Sequence, residues 1–570
     1  MRTGFQHSAA FATVSRFALA LIAGLLSFAA RPAGAGVWTN VVAFAPGGVQ
    51  MMILLSDGTV MCSDGGGGVW YRLTPDSTGS YINGSWSTLS SMNYTRRYFS
   101  SAVLRDGRVF VAGAEYGTGT TNAEIYNPLN NTWSKVPVPY GLITTNNSLN
   151  GQGGNQAGFS DSGSVILPGG SVLIAPVYPA AGVGTVIYNP SANSWSSTPV
   201  LGNQNEATWA KLPDNSILTI DTSSTSTERF IPSLNQWIRD SSVPANLYGV
   251  GSELGPALLM PNGKVFFLGG NSSTAIYTPS GSTNQGSWVN GLAIPNGQAC
   301  PDAPAAMLPN GRILFACSPL GVPGNTFPTN VSFYEYDPVA NSYSRQNSPT
   351  GGLTENNIAV YQTAMLCLPD GNVLFSDESN RVYIYQPGGG GLAAGTPVIS
   401  TVSWNAGGSL HLTGTGFNGI SQGASYGDDE QMDSNYPLAR FGDGAGSIFY
   451  GRTFNWSDTG VMTGGKVVST EVMPPWNALL TSGPYSFTVV ANGISSLPVT
   501  LNAPVWVDYN SGGLFHFGTF LFPYNSLATG RDNVPVGGTI LIKASHSAET
   551  LTISKAMTIV SYGGDATVGQ

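Results

Sequence analysis

One short pattern, repeated seven times between residues 36 and 390, constrains the fold of this chain more than any other feature. A turn signal leads into a strand of β-branched and aromatic residues. It reads Leu55-Ser-Asp-Gly-Thr-Val60, Leu104-Arg-Asp-Gly-Arg-Val109, Leu167-Pro-Gly-Gly-Ser-Val172 and Leu212-Pro-Asp-Asn-Ser-Ile217. Met260-Pro-Asn-Gly-Lys-Val265, Leu308-Pro-Asn-Gly-Arg-Ile313 and Leu368-Pro-Asp-Gly-Asn-Val373 complete the set. Gly or Asn at the fourth position supplies the positive φ that a tight hairpin requires. The turns lie 45 to 63 residues apart, which leaves room for four strands per unit. A period of that length with hairpin punctuation means a β-propeller.

A second element repeats behind the first. Tyr126-Asn-Pro precedes Trp133, Tyr188-Asn-Pro precedes Trp195, and Phe230-Ile-Pro precedes Trp237. Tyr277-Thr-Pro precedes Trp288 and Tyr336-Asp-Pro precedes Tyr343, while Leu73-Thr-Pro before Trp86 is a looser copy. The seventh unit has Tyr385-Gln-Pro with no tryptophan after it, and Trp38 has no unit before it. A strand carrying Trp38 is therefore predicted to complete the last blade and close a ring of seven over residues 36–390. The competing arrangement is a pair of β-sandwiches.

Composition agrees. Charged residues make up 9% of the chain, against roughly 25% in ordinary soluble domains. Gly (74) and Pro (37) are abundant and aromatics reach 11%, a profile of strands and turns rather than helices. Net charge is −9 without a Lys/Arg stripe, which argues against nucleic acid as a partner. After a Gly-rich linker at 388–397, residues 396–503 alternate in the manner of an immunoglobulin-like β-sandwich. Residues 504–570 resemble the first turns of a parallel β-helix, a short C-terminal module. The fold class is thus all-β.

Residues 1–35 read as a signal peptide: Arg2 and Arg16, an apolar run from Phe17 to Phe28, and Ala33-Gly34-Ala35 as a cleavage site. The expectation is a secreted protein, in the periplasm or at the cell surface if bacterial, with no transmembrane segment in the mature chain. Export permits disulfides, and Cys300 and Cys317 flank one predicted hairpin as the candidate pair. The alternative is that all four cysteines are buried thiols.

The order of modules, and several local motifs, resemble the galactose oxidase and glyoxal oxidase family: a kelch-type propeller followed by an early-set domain. Arg96-Arg97-Tyr98-Phe99-Ser100-Ser101-Ala102 resembles the segment that carries the family's cross-linked tyrosine, which places Tyr98 there. The stacking tryptophan falls at Tyr116. Val360-Tyr361-Gln362-Thr363 resembles the segment of the axial tyrosine and first histidine, with Gln362 in the histidine's place. Gln431, on a loop beginning Tyr426-Gly427, takes the second histidine's place, and Ala45 that of the cross-linking cysteine. The resemblance implies a copper-radical oxidase. The residues argue against one, because the four histidines are His7, His411, His516 and His546, none between 36 and 395. Imidazole suits Cu(II) and a carboxamide does so poorly. No cofactor is expected.

About ten residues before the hairpin turns the chain places Tyr98, Glu206, Glu253, Asp302 and Tyr361/Gln362. With Arg97 and Gln431 these would form a polar, aromatic-walled mouth suited to sugar hydroxyls. The plainer reading is solvated or turn-capping acids. Asp428, Asp429 and Asp433 form an oxygen-rich loop that suits Ca²⁺, though not at EF-hand spacing. Three functions follow as expectations. The first is a secreted, non-catalytic binding protein for a glycan or cell-surface protein. The second is a carbohydrate-active enzyme, a carboxylate hydrolase before a copper oxidase. The third is a matrix component that assembles through its tail.

Overall fold

The computed structural model describes residues 36–569 apart from 140, 144–157, 160, 177–178, 181, 206, 406, 427–431 and 480–482. The leader expected at 1–35 lies outside the described residues.

Seven four-stranded antiparallel blades form the propeller. Their innermost strands are Met52–Leu54, Ser100–Val103, Gly163–Ile166, Trp209–Lys211, Ala257–Leu259, Ala305–Met307 and Ala364–Cys367. Each of the seven turns has its fourth residue in the left-handed region, from Asn215 at φ 70° to Gly170 at φ 89°. The ring closes as the repeat requires. Val37–Asn40 is the outer strand of the last blade, with Trp38 opposite Tyr385.

The aromatic repeat has a physical cause. Each tryptophan faces the aromatic of its own unit across an antiparallel pair: Tyr126 with Trp133, Tyr188 with Trp195, Phe230 with Trp237 and Tyr277 with Trp288. In most units, though not at Trp288, the indole then ties the blade to the one before. Trp86 Nε1 donates to Ala43 O at 3.0 Å, Trp133 to Ser90 O at 2.9 Å and Trp195 to Pro137 O at 2.9 Å. Tyr343, the substitute in the sixth unit, does the same with its hydroxyl, 2.8 Å from Leu292 O. Trp38 donates to Asn347 O at 2.7 Å.

Beyond the linker, eight strands from Val398–Trp404 to Val499–Leu501 form one continuous curled sheet rather than two separate sheets. Strand Ile448–Phe454 makes it continuous: residues 448–451 pair with Leu438–Gly442 and residues 452–454 with Val468–Met473. The sandwich expectation is corrected to that extent. The tail holds small parallel sheets, Val505–Val507 beside Thr539–Lys543 beside Thr558–Tyr562, and His546–Ser547 beside Thr567–Val568. A seven-residue helix, Leu527–Asn533, follows Val505–Val507 and precedes Thr539–Lys543 in the chain, its first turn capped by Ser526 Oγ accepting from Thr529 N–H. Among the described residues no helix is long and apolar enough to cross a membrane.

Cys300 and Cys317 are both free, so the expected bridge is corrected. Register brings Cys300 near the strand of Cys317, since Ala299 pairs with Ser318. The Cys317 thiol instead turns to Gln298 Oε1 and Ser332 O, at 3.5 and 3.7 Å. Burial pushes both thiols well above their ordinary pKa.

The curled sheet packs on the turn face of the propeller. Thr453 N–H donates to Ser56 O and Arg452 to Asp106 O, both at 3.1 Å. From that sheet a finger enters the axial channel. Ala424–Ser425 pairs with Ala305–Ala306, adding a strand to the inner edge of the sixth blade. Gly423 bridges to Asp433, the return limb. Tyr436, at the base, bonds to Leu54 O, and Tyr426, near the tip, bonds to Tyr361 O at 2.7 Å. The described limbs of the finger thus reach from Leu54, near the turn face, to Tyr361, just before the last inner strand.

Candidate functional site: the propeller mouth

That opposite face gathers the residues that precede the inner strands. Arg96–Arg97 forms a short strand paired with Tyr116–Gly117, which sets Arg97 opposite Tyr116. Buried Arg96 fixes this ribbon: its guanidinium donates to Gly119 O at 3.1 Å and Asn122 O at 3.0 Å and pairs with Glu124 at 3.1 Å. Tyr98 follows with φ 51°, so its ring is turned by a left-handed backbone. Tyr361 and Gln362 lie on a single helical turn, Val360–Gln362, just before the last inner strand.

The centre of the mouth is an ion pair. Arg97 is bound to Glu378, and its Nη2 also donates to the Tyr98 hydroxyl at 3.1 Å. The guanidinium carbon lies 4.9 Å from the Tyr98 ring centroid. The other oxygen of Glu378 accepts from Gln362 Nε2 at 3.1 Å, while Gln362 Oε1 accepts from Ala359 N–H at 3.1 Å. Both ends of the Gln362 amide are therefore used. Aromatic rings wall this network. Tyr98 lies 6.3 Å from both Tyr116 and Tyr361, and Phe327 lies 4.7 Å from Tyr361. Tyr116 is the exposed member.

Electrostatics follow from these neighbours. Burial would lower Arg97, yet Tyr98 and Glu378 outweigh it and hold the guanidinium above its ordinary pKa. Burial, then Glu378, raises Tyr361. Burial, with Glu115 and Asp161 nearby, pushes Tyr116 up to about 12. The raised Tyr116 and Tyr361 phenols act as hydrogen-bonding, stacking groups.

The structure places the other expected residues as follows. Glu253 ends a short turn whose backbone bonds to Gly249, and Asp302 N–H donates to Leu254 O at 3.0 Å, so those two loops abut. Glu206, Asp428, Asp429 and Gln431 lie outside the described residues. Ala45 is buried, with its N–H bonded to Asn380 O at 2.9 Å. Asp433, expected among calcium ligands, is instead on the finger inside the channel, paired with buried Lys211 at 3.5 Å.

Glu378, Glu115 and Phe327 were not singled out from sequence. The first two follow the second strand of a blade, Val373–Ser376 and Val109–Ala112. That offset is the signal: loops after second strands reach the same face as the segments before first strands.

The copper implied by the resemblance does not fit these side chains. A Cu(II) centre needs basic nitrogen donors or ionised phenols. Here a guanidinium already donates to the Tyr98 oxygen, and the Gln362 amide is spent on Ala359 and Glu378. His411 is remote, bonded to Glu471 in the curled sheet.

No family model matches the chain. Among curated proteins, two galactose oxidase sequences from Gibberella zeae are 40% identical over 55 residues, 9% of this chain and 8% of their own length. Among solved structures, a fungal alcohol oxidase in complex with copper is similar at 14% identity. It has a TM-score of 0.48 and covers 82% of this chain and 100% of that one. A streptogramin B lyase follows at 13% identity and a TM-score of 0.42, over 62% of this chain and 98% of its own. The scaffold is a seven-bladed propeller, and a short stretch of its sequence is similar to galactose oxidase.

Proposed function

We propose that this chain is a secreted, non-catalytic binding protein whose propeller mouth recognises a carbohydrate or a glycan-bearing cell-surface partner. The observation that carries the reading is the Arg97–Glu378 pair, which sets an internal cation against Tyr98 where the oxidase resemblance would set a metal. With that charge already compensated, the mouth offers a partly exposed guanidinium, phenol groups and aromatic faces. Sugars present complementary groups: hydroxyls that donate and accept, and apolar ring faces that stack.

The test is a glycan-array screen of the purified protein, with Tyr116→Ala and Arg97→Met alongside. Binding to a defined glycan is expected, weakened about fivefold by loss of the exposed ring, since one aromatic contact contributes roughly 1 kcal/mol. Arg97→Met should weaken it further by leaving Glu378 uncompensated. A glycan that binds both variants as tightly as the parent would remove the mouth from the reading. Turnover of any glycoside in the same screen would replace binding with hydrolysis.

A further inference from the structure

The tail carries an exposed apolar loop that neither the mouth nor the finger uses. Between Tyr509 and Gly530 there is no Asp, Glu, Lys or Arg. Within this stretch Leu514 is 94% exposed, Phe515 61%, Phe517 59%, Leu521 47% and Phe522 41%. The loop is built rather than loose. Phe517 N–H donates to Phe522 O at 2.8 Å, which closes a tight turn. The base is fixed by Trp506 N–H to Gly518 O and Tyr524 N–H to Trp506 O, both 2.9 Å. Lys543 Nζ donates to Phe520 O at 2.8 Å, and the Phe520 ring sits 4.9 Å from Trp506.

We infer that Leu514, Phe515, Phe517, Leu521 and Phe522 form an insertion loop for the surface of a lipid bilayer. Apolar side chains held out on a fixed turn are costly in water, and moving them among acyl chains lowers the free energy. Their exposed fractions add up to about three whole side chains, roughly 500 Å² at 150–250 Å² for each large one. A standard protein interface needs about 800 Å² from each partner, so the patch is small for a stable dimer. Protein hot spots favour Trp, Tyr and Arg, and sugar sites need polar groups beside the ring. The exposed large side chains of the tip are only Leu and Phe, and His516 between them is half-buried with its Nδ1 2.7 Å from Pro523 O. Residues with polar ends, Tyr524 and Lys543, bond to the base of the loop, at Trp506 O and Phe520 O. The net charge of −9 gives no attraction to anionic lipid. Binding should therefore occur on zwitterionic vesicles and be insensitive to salt.

The experiment places a nitrobenzoxadiazole label on the full chain through Leu514→Cys, the four native thiols being buried. With phosphatidylcholine vesicles the emission should shift to the blue and be quenched by nitroxides on the acyl chains. In vesicle flotation, Phe515→Asp with Phe517→Asp should lower the labelled protein's partitioning about tenfold or more. Unchanged emission in the presence of vesicles would overturn the inference. So would a blue shift without lipid that grows with protein concentration, which would assign the loop to a second copy of the chain.

Discussion

Lys211→Met should destabilise the protein by about 3–5 kcal/mol, the usual cost of stranding one half of a buried ion pair. Lys211 is fully buried on the inner strand of the fourth blade. Its ammonium pairs with Asp433 at 3.5 Å and donates to Thr459 O at 3.2 Å, and its backbone N–H donates to Gln422 Oε1 at 3.0 Å. Each of these partners belongs to the finger or to the segment beneath it, so one side chain holds the finger in the channel. Burial depresses Lys211 and raises Asp433, and each group counters part of that shift in the other. A pair desolvated on both sides contributes little net stability, but its rupture is expensive. The double variant Lys211→Met/Asp433→Leu should therefore recover to within about 1 kcal/mol of the parent. A cavity of about 20 Å³ beside Asp433 leaves room for the larger side chain. Chemical denaturation of the three proteins tests this. A single variant as stable as the parent would mean that Lys211 does not hold the finger.

The second large effect is expected at the ring closure. Trp38→Ala should cost roughly 3 kcal/mol, at the low end for loss of a large aromatic because the ring is only half-buried. Trp38 packs on Tyr385 at 4.8 Å and Phe375 at 5.4 Å in its own blade, and on Phe333 at 5.3 Å in the blade before. Its indole bond to Asn347 O is lost as well. Trp38 stands outside the repeat in sequence, yet it fastens the last blade to the first strand of the propeller. Trp38→Phe should retain most of the stacking and lose about 1 kcal/mol with the hydrogen bond. Equal losses for Ala and Phe would show that packing at this position does not close the ring.

Much of the scaffold was legible in the residues because its signals are local. Gly58, Gly107 and Asn215 stand at positions that need positive φ, and each tryptophan answers an aromatic only a few residues earlier. The finger was not legible. Gln422, Ala424 and Asp433 are ordinary residues whose partners lie more than a hundred positions away. Lys211 reads as a surface lysine until its channel is filled. The short helix at Leu527–Asn533 was missed because its Ser526 cap precedes a run too brief to show a period. At the mouth, Arg97, Tyr98, Tyr116, Tyr361 and Gln362 lie together. Glu378, the residue that joins Arg97 to Gln362, stayed hidden because it belongs to a loop after a second strand, with a left-handed φ of 63° that nothing in the sequence marks.

That junction is the centre of the functional reading, and metal content tests it most directly. The purified protein would be incubated with copper, desalted and measured by elemental mass spectrometry, with Arg97→Met in parallel. With Arg97 in place, only trace copper is expected to remain. Near-stoichiometric copper on the parent protein, with peroxide formed from a primary alcohol, would contradict the binding-protein account and restore the oxidase.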